Sequence, residues 1–230
     1  MRARRSFADA AAVLLFLGLT VALISFSFAN AAALNLASGG MTIKNRTYDS
    51  PLTCTLTAVA DTDVHAGQPN SSFGSQTTIE VNSSSSNPRR SLVRFDLSGC
   101  SPAIASDAIV HSATVRLTTA SSIGLLGRSY GLHRATSSWT ETTTWNTQPS
   151  VVAAATSTVS IAGLTGSGEI VNWPASRDVQ ALVAADESNL GWRVNDTNEN
   201  GGILPLPVNI TFSSREAGSN RPQLVITYAP

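Results

Sequence analysis

The chain has 230 residues, of which 42% are hydrophobic and 13% are charged. Its 15 basic and 15 acidic side chains balance, and no basic stripe runs through the sequence. A nucleic-acid partner is therefore not expected, and the low charge excludes disorder by charge repulsion. The length is that of one large β domain preceded by a shorter N-terminal segment.

The N-terminus has the features of an export signal. Arg2, Arg4 and Arg5 precede a long apolar run that starts at Ala10, and small residues offer a cleavage site after Ala31. Because the apolar run approaches the length that spans a bilayer, a retained signal-anchor helix is the alternative. Membrane contact is expected only in that second case. In both cases the rest of the chain is expected to be secreted, extracellular or held at the cell surface.

These features divide the chain into three parts. Residues 1–31 are predicted to be a signal peptide or signal anchor, residues 32–53 a leader or linker, and residues 54–230 the folded domain. Cys54 and Cys100 are expected to form a disulfide, because a pair of cysteines in an exported chain is usually oxidised. Two free buried thiols are the alternative. The sequence has no CxxC motif that would suggest a structural zinc site.

From Cys54 onward, polar and apolar residues alternate in short runs, as is typical of half-buried antiparallel strands. Turn residues separate the clearest runs, which lie at residues 78–81, 91–97, 113–118, 208–212 and 223–228. One helix is predicted at residues 176–185, where Val179, Leu182 and Val183 share a face and Ser176 is a candidate cap. The fold class predicted from this pattern is all-β, an antiparallel jelly-roll β-sandwich with one short helix.

Few residues suggest catalysis or metal binding. The glutamates are scattered, and His65, His111 and His133 lie far apart. The sequence has no GxSxG, HExxH or P-loop motif, so no catalytic residue and no cofactor are expected. Asp61 and Asp63 lie two apart on one face of an extended segment and are candidate calcium ligands. Solvated acids at a strand end are the alternative.

The stretch WTETTTWNTQPS at residues 139–150 contains two tryptophans and one acid. Trp139 and Trp145 are six residues apart, so one continuous strand would place them on the same face. A sugar-stacking platform would use exposed rings, whereas core or strand-end packing would bury them, and packing is the interpretation preferred. Glu141 is expected to pair locally rather than to donate a proton.

Eight stretches between Thr53 and Tyr228 have a familiar order and spacing. They are AVADTDV at 58–64, PNSSFGSQTTIEV at 69–81, RRSLVRFDLS at 89–98, SATVRL at 112–117, YGLHRATSSWTETTTWNTQPS at 130–150, RDVQALV at 177–183, LGWRVNDTNE at 190–199 and FSSREAGSNRPQLVITY at 212–228. Together they resemble the DNRLRE-domain proteins, a group that overlaps carbohydrate-binding module family ninety-six. Two departures concern aromatic positions: Asp63 and Leu182 stand where that group usually has an aromatic residue.

The resemblance implies a jelly-roll sandwich without catalytic activity, found in surface or secreted modules that often accompany polysaccharide-degrading enzymes. Some members bind acidic polysaccharide such as alginate. It identifies no ligand-binding residue in this chain. The function expected is thus a non-catalytic secreted or surface module that binds a polysaccharide or cell-surface glycan. One alternative is a structural or adhesive subunit of an extracellular assembly, with residues 32–53 as a packing strand. Another is an unrecognised hydrolase or lyase that uses Glu141.

Overall fold

A computed structural model describes residues 50–84, 86–123, 127–199 and 208–229. They belong to one compact unit, Thr47–Pro230. The described residues form ten strands: β1 (Leu52–His65), β2 (Thr78–Asn82), β3 (Arg89–Phe95), β4 (Ile109–Ile123), β5 (Arg128–Arg134), β6 (Ser157–Ile161), β7 (Ile170–Pro174), β8 (Trp192–Asp196), β9 (Asn209–Ser213) and β10 (Gln223–Ala229). In the described part of the chain there is one α-helix, α1 (Ser176–Val183).

The predicted signal or anchor segment and most of the predicted leader lie outside the described residues. Within the described ranges, no helix is both long enough and apolar enough to cross a membrane.

The strands form an antiparallel, β-sandwich-like arrangement that closes on itself. Neighbours follow the order β1, β10, β4, β9, β2, β3, and β3 pairs with β1 again. From β3 the sheet continues through β8 and β5 to β6, and β7 pairs with β4. The all-β class and the single short helix are therefore confirmed, and the two layers are joined into a six-stranded ring.

Two long strands make this closure. The first part of β1 pairs with β10 and its second part with β3, and the register shifts between Ala58 and Ala60. In β4 the partner changes from β10 and β7 to β9, and the register shifts between Thr119 and Ser121. An extra residue of this kind bends a strand and increases its twist, which lets each long strand pass from one layer to the other.

The core lies inside the ring and is filled by the apolar side of the predicted alternation. The buried residues include Val93, Phe95, Val115, Leu224 and Ile226, all of which the sequence pattern placed inward. Among the largest fully buried side chains are Trp173, Trp192, Tyr130 and Tyr228. Helix α1 adds Val179 and Val183 to the same core.

Three local predictions are wrong. The run predicted at residues 91–97 ends earlier as a strand, because β3 stops at Phe95 and the Asp96 carboxylate accepts a hydrogen bond from the Ser98 amide to begin a 3-10 turn, although Leu97 still packs against the core. Ser176 does not cap α1, because it is the first helical residue and its hydroxyl accepts a hydrogen bond from the Ala113 amide. The predicted helix 176–185 ends earlier, at Val183.

Cys54 and Cys100 form the expected disulfide, with their Cα atoms 5.6 Å apart. Both are buried, and the bond joins the first part of β1 to the segment that follows β3. Strand β1 starts at Leu52, two residues inside the segment predicted as leader.

Candidate functional site

Three of the four tryptophans are structural. Trp139, Trp173 and Trp192 are 4%, 0% and 1% exposed. Each indole N–H donates a hydrogen bond to an oxygen of the protein: the carbonyl oxygen of Leu190, that of Tyr130 and Oδ2 of Asp178, respectively. A buried tryptophan whose N–H is satisfied in this way has no face left for a sugar ring.

The stretch 139–150 is a loop that covers the outer side of the ring. It contains a turn and a 3-10 turn at Trp145–Thr147, so the continuous strand considered above is wrong. Trp139 packs on Ala60, Val64 and Leu92, in a second hydrophobic cluster separate from the core. The packing interpretation is therefore confirmed for Trp139.

Trp145 packs against the same second cluster but is only half-buried. The Arg90 guanidinium lies over its ring, 4.5 Å from the centroid. One ring face is thus occupied by a cation and the ring also packs on the cluster. A row of exposed aromatic rings for sugar stacking does not form from the four tryptophans.

Glu141 pairs locally, as expected. Its carboxylate accepts hydrogen bonds from Nε and Nη2 of Arg215, the latter at 3.1 Å, and Arg215 Nε also lies 2.8 Å from a carboxylate oxygen of Glu216. A Cβ added to Gly74 would lie 2.4 Å from the Glu141 carbonyl oxygen, so the chain at Gly74 passes directly beside this residue. Both carboxylate oxygens are engaged, and the geometry is that of a structural ion pair.

Asp61 joins the same group of charges. It is completely buried, and its Oδ2 accepts a hydrogen bond of 2.7 Å from the Arg215 amide, while Oδ1 has no partner. Burial raises the pKa of Asp61 to about 7, and the charges of Glu216 and Glu141 act in the same direction. The hydrogen bond from Arg215 opposes this shift.

Asp63 belongs to a different network, with His65 and Glu80. Its Oδ2 lies 2.7 Å from His65 Nε2 and accepts a hydrogen bond of 3.2 Å from the Glu80 amide. Because Asp61 and Asp63 are 0% and 3% exposed, the alternative of solvated acids is wrong. The structure places the two aspartates in separate networks, and a shared calcium ion remains a prediction.

The outward side of β3, β8 and β5 carries a polar surface, here called the arginine face. The arginine face consists of Arg90, Arg193, Asn195, Ser129 and His133, which alternate along their strands with buried residues. Register places Arg193 beside His133 on β5 and beside Leu92 on β3. All five side chains are half-buried.

Positive charge is in excess on the arginine face. Arg90 donates two hydrogen bonds of 2.7 Å to the Glu199 carboxylate and one of 2.8 Å to Gln148. Arg193 donates to Asn195 over 3.2 Å. Burial and, to a smaller extent, the charge of Arg90 lower the pKa of Arg193 to about 10, and the charge of Glu199 opposes this shift. Two guanidinium groups thus share one carboxylate.

The sequence pointed to neither arginine as a functional residue. The pair Arg89-Arg90 comes directly before an alternating run, and the sequence alone predicts a solvated turn there; this prediction is wrong, because both residues lie within β3. Arg193 carried no motif, since what distinguishes it is its neighbour on another strand. The one sequence signal that could have pointed to either residue is an arginine at an outward position of an alternating strand. That signal is weak, because such arginines are common in exposed sheets.

An open groove lies between β6 and β7. Its volume is about 570 Å³, and residues 159–166 and 169–172 line it. Leu164 and Ile170 are exposed on its wall, at 67% and 57%. A smaller recess of about 310 Å³ is lined by Trp139, Ser138 and four threonines.

The features described so far are those of a β-sandwich-like domain with polar outer surfaces and buried tryptophans. Residues 52–228 match the pattern of carbohydrate-binding module family 96, and the chain belongs to that family. The resemblance seen in the sequence is confirmed over nearly the same range. A comparison with curated proteins finds no match.

Proposed function

We propose that this protein is a non-catalytic module that binds polysaccharide through polar side chains. Its membership of carbohydrate-binding module family 96 is the observation that carries this proposal. The burial of three tryptophans, and the cation that lies on the fourth, favour recognition by hydrogen bonds and charge over ring stacking.

The arginine face is the proposed contact surface, and an acidic polysaccharide is the proposed ligand. Arg90 and Arg193 repel one another across neighbouring strands, and the single carboxylate of Glu199, which pairs directly with Arg90, does not balance both charges. A uronate carboxylate placed between them would relieve that repulsion. Guanidinium groups suit this role because they bind carboxylates with two parallel hydrogen bonds.

Affinity electrophoresis tests the proposal, with alginate and polygalacturonate as acidic ligands and a neutral β-glucan for comparison. We expect retardation in the acidic gels that weakens as salt is added, since the contacts are ionic. Arg193→Gln should weaken binding by roughly tenfold or more, the typical value of one charged hydrogen bond. The control is Arg177→Gln, which removes an exposed arginine of α1 and should bind normally.

Each possible outcome tests a different part of the proposal. No retardation by any polysaccharide would contradict carbohydrate binding itself. Retardation by the neutral glucan alone would contradict the acidic ligand, and equal binding by Arg193→Gln would contradict the arginine face. Release of reducing ends or unsaturated products would contradict the non-catalytic role.

We also propose that the protein is exported, to the extracellular space or the cell surface. The disulfide supports this, because such bonds persist in oxidising compartments. Fractionation of the producing cell, with mass spectrometry of the N-terminus, is the test. A full-length chain found in the cytoplasm would contradict export.

A further inference from the structure

A group of three ligand-type side chains lies at the end of β1 and on β2. Asp63, His65 and Glu80 each offer one metal-ligating atom, and these atoms all lie within 4.8 Å of one another. Asp63 and His65 are two residues apart on one strand, so they share a face. Glu80 lies on β2, and its amide N–H donates a hydrogen bond to Oδ2 of Asp63.

Two atoms of this group are buried without a hydrogen-bond partner, namely His65 Nδ1 and Glu80 Oε1. His65 is 6% exposed, and 13% of the Glu80 side chain is exposed. A buried polar atom with no partner costs free energy, and natural folds rarely leave one unless an ion, a water or a function explains it. Lone pairs of an imidazole nitrogen and a carboxylate oxygen can both be satisfied by a metal ion.

The surroundings hold these side chains in place. The His65 ring stacks on Phe73, with centroids 3.7 Å apart and an angle of 16° between the planes. Arg89 binds Oε2 of Glu80 and leaves Oε1 available. Partners that orient ligands in this way are typical of metal sites, in which ligating carboxylates and histidines are themselves hydrogen-bonded.

We propose that Asp63, His65 and Glu80 bind a divalent transition-metal ion of the Zn²⁺ type. Imidazole and carboxylate groups are both zinc ligands, and an open zinc site has three protein ligands with water in the fourth position. Calcium fits less well, because it takes six to eight oxygen ligands and imidazole is not among them. The site differs from the predicted calcium pair, since it includes His65 and Glu80 and excludes Asp61.

Binding needs only small movements. Zinc bonds of about 2.0–2.2 Å place tetrahedral ligand atoms about 3.3 Å apart. The contact of 2.7 Å between Asp63 Oδ2 and His65 Nε2 would therefore lengthen or give way to the other oxygen or nitrogen, and the widest separations would close by about 1.5 Å. The positive charge of Arg89 opposes a second cation, so we expect weaker binding than at a cysteine-rich structural zinc site.

Calorimetry with ZnCl₂ tests the proposal on protein that carries no affinity tag and has been stripped with a chelator. We expect one saturable equivalent and a higher melting temperature with metal, because a ligand that binds only the folded state stabilises it. His65→Gln and Glu80→Gln should each weaken binding at least tenfold. His111→Gln is the matched control, because His111 is an exposed histidine of β4 and should leave the affinity unchanged.

A second measurement covers the case in which His65→Gln fails to fold. Nitrogen NMR of the three imidazoles in the unmodified protein should show a zinc-dependent shift at His65 and none at His111 or His133. Absence of saturable zinc binding would overturn the proposal. So would unchanged affinity in a folded His65→Gln variant, a shift confined to the other histidines, or binding of Ca²⁺ in preference to Zn²⁺.

Discussion

At the scale of single residues, Glu141 shows how neighbours decide a role. A carboxylate between two tryptophans could belong to a glycosidase pair, but here both of its oxygens are bound by Arg215. The partner comes from 74 residues away in the chain. The ion pair attaches the loop at residues 139–150 to the segment that follows β9.

Glu141→Gln is expected to lower the free energy of unfolding by no more than about 1 kcal/mol, because exposed ion pairs contribute little. The side chains of Glu141 and Arg215 are 30% and 38% exposed, so solvent screens the interaction. Urea denaturation of the variant, next to Glu169→Gln as an exposed control, measures the effect. A loss above about 2 kcal/mol would show that the pair does more than fasten a loop. Polysaccharide binding should not change.

For single residues, the sequence could not predict side-chain contacts between residues that lie far apart in the chain. The spacing of Asp61 and Asp63 correctly indicated one face of an extended segment. Spacing could not show that Asp61 would meet Arg215 while Asp63 would meet Glu80, since those contacts depend on the closure of the ring. The same holds for Arg193, whose importance rests on Arg90 across the β3–β8 pairing.

At the scale of elements, the strands in which apolar and polar residues alternate cleanly were predictable. Strands β2, β4, β9 and β10 alternate cleanly and were placed correctly to within a few residues, except that β4 is much longer. Strand β8 was missed because one of its buried positions is Asp196, which pairs with Arg128. Inward polar groups with partners break the hydrophobic alternation on which the prediction depends.

A further prediction concerns the stability of variants at Gly191, the residue directly before β8. Its φ is +76°, and an added Cβ would lie 2.3 Å from the carbonyl oxygen of Val93. Gly168 has φ +86° with open space around it, and Gly218 has open space without a positive φ. The three sites therefore separate backbone strain from steric conflict.

Alanine at each position should give a graded series. We expect Gly218→Ala to leave stability nearly unchanged and Gly168→Ala to cost about 1 kcal/mol, the strain of a left-handed residue. Gly191→Ala should cost about 3 kcal/mol or more, because β3 and β8 must also move apart. Chemical denaturation gives all three values, and equal losses at Gly191 and Gly168 would show that the close approach to Val93 is relieved without cost.

At the scale of the whole molecule, the closed ring is what the sequence could not show. An alternating pattern predicts strands and their buried faces, and it supported the all-β class and the sandwich-like layers. Closure depends on the change of partner within β1 and β4, at register shifts that involve Ala58–Ala60 and Thr119–Ser121. Nothing in the composition of these residues marks a shift, because small and hydroxylated residues are common throughout this chain.

The disulfide acts on the molecule as a whole, since it closes a loop of 46 residues that contains β2, β3 and most of β1. In the chain-entropy picture such a loop stabilises the fold by about 4 kcal/mol, by restricting the unfolded chain. Replacing both Cys54 and Cys100 with alanine should therefore lower the melting temperature by roughly 10 °C. Alanine avoids placing a hydroxyl group at two buried positions.

A reductant separates the cross-link from packing. Reduction of the unmodified protein removes the bond but keeps both sulfur atoms in the core, so its melting temperature should fall nearly as far as that of the double variant. The double variant itself should not respond to reductant, which makes it the control for side effects of the reagent. If mass spectrometry shows full reduction while the melting temperature stays constant, the closed ring alone holds β1 to its partners and the chain-entropy estimate is wrong for this fold.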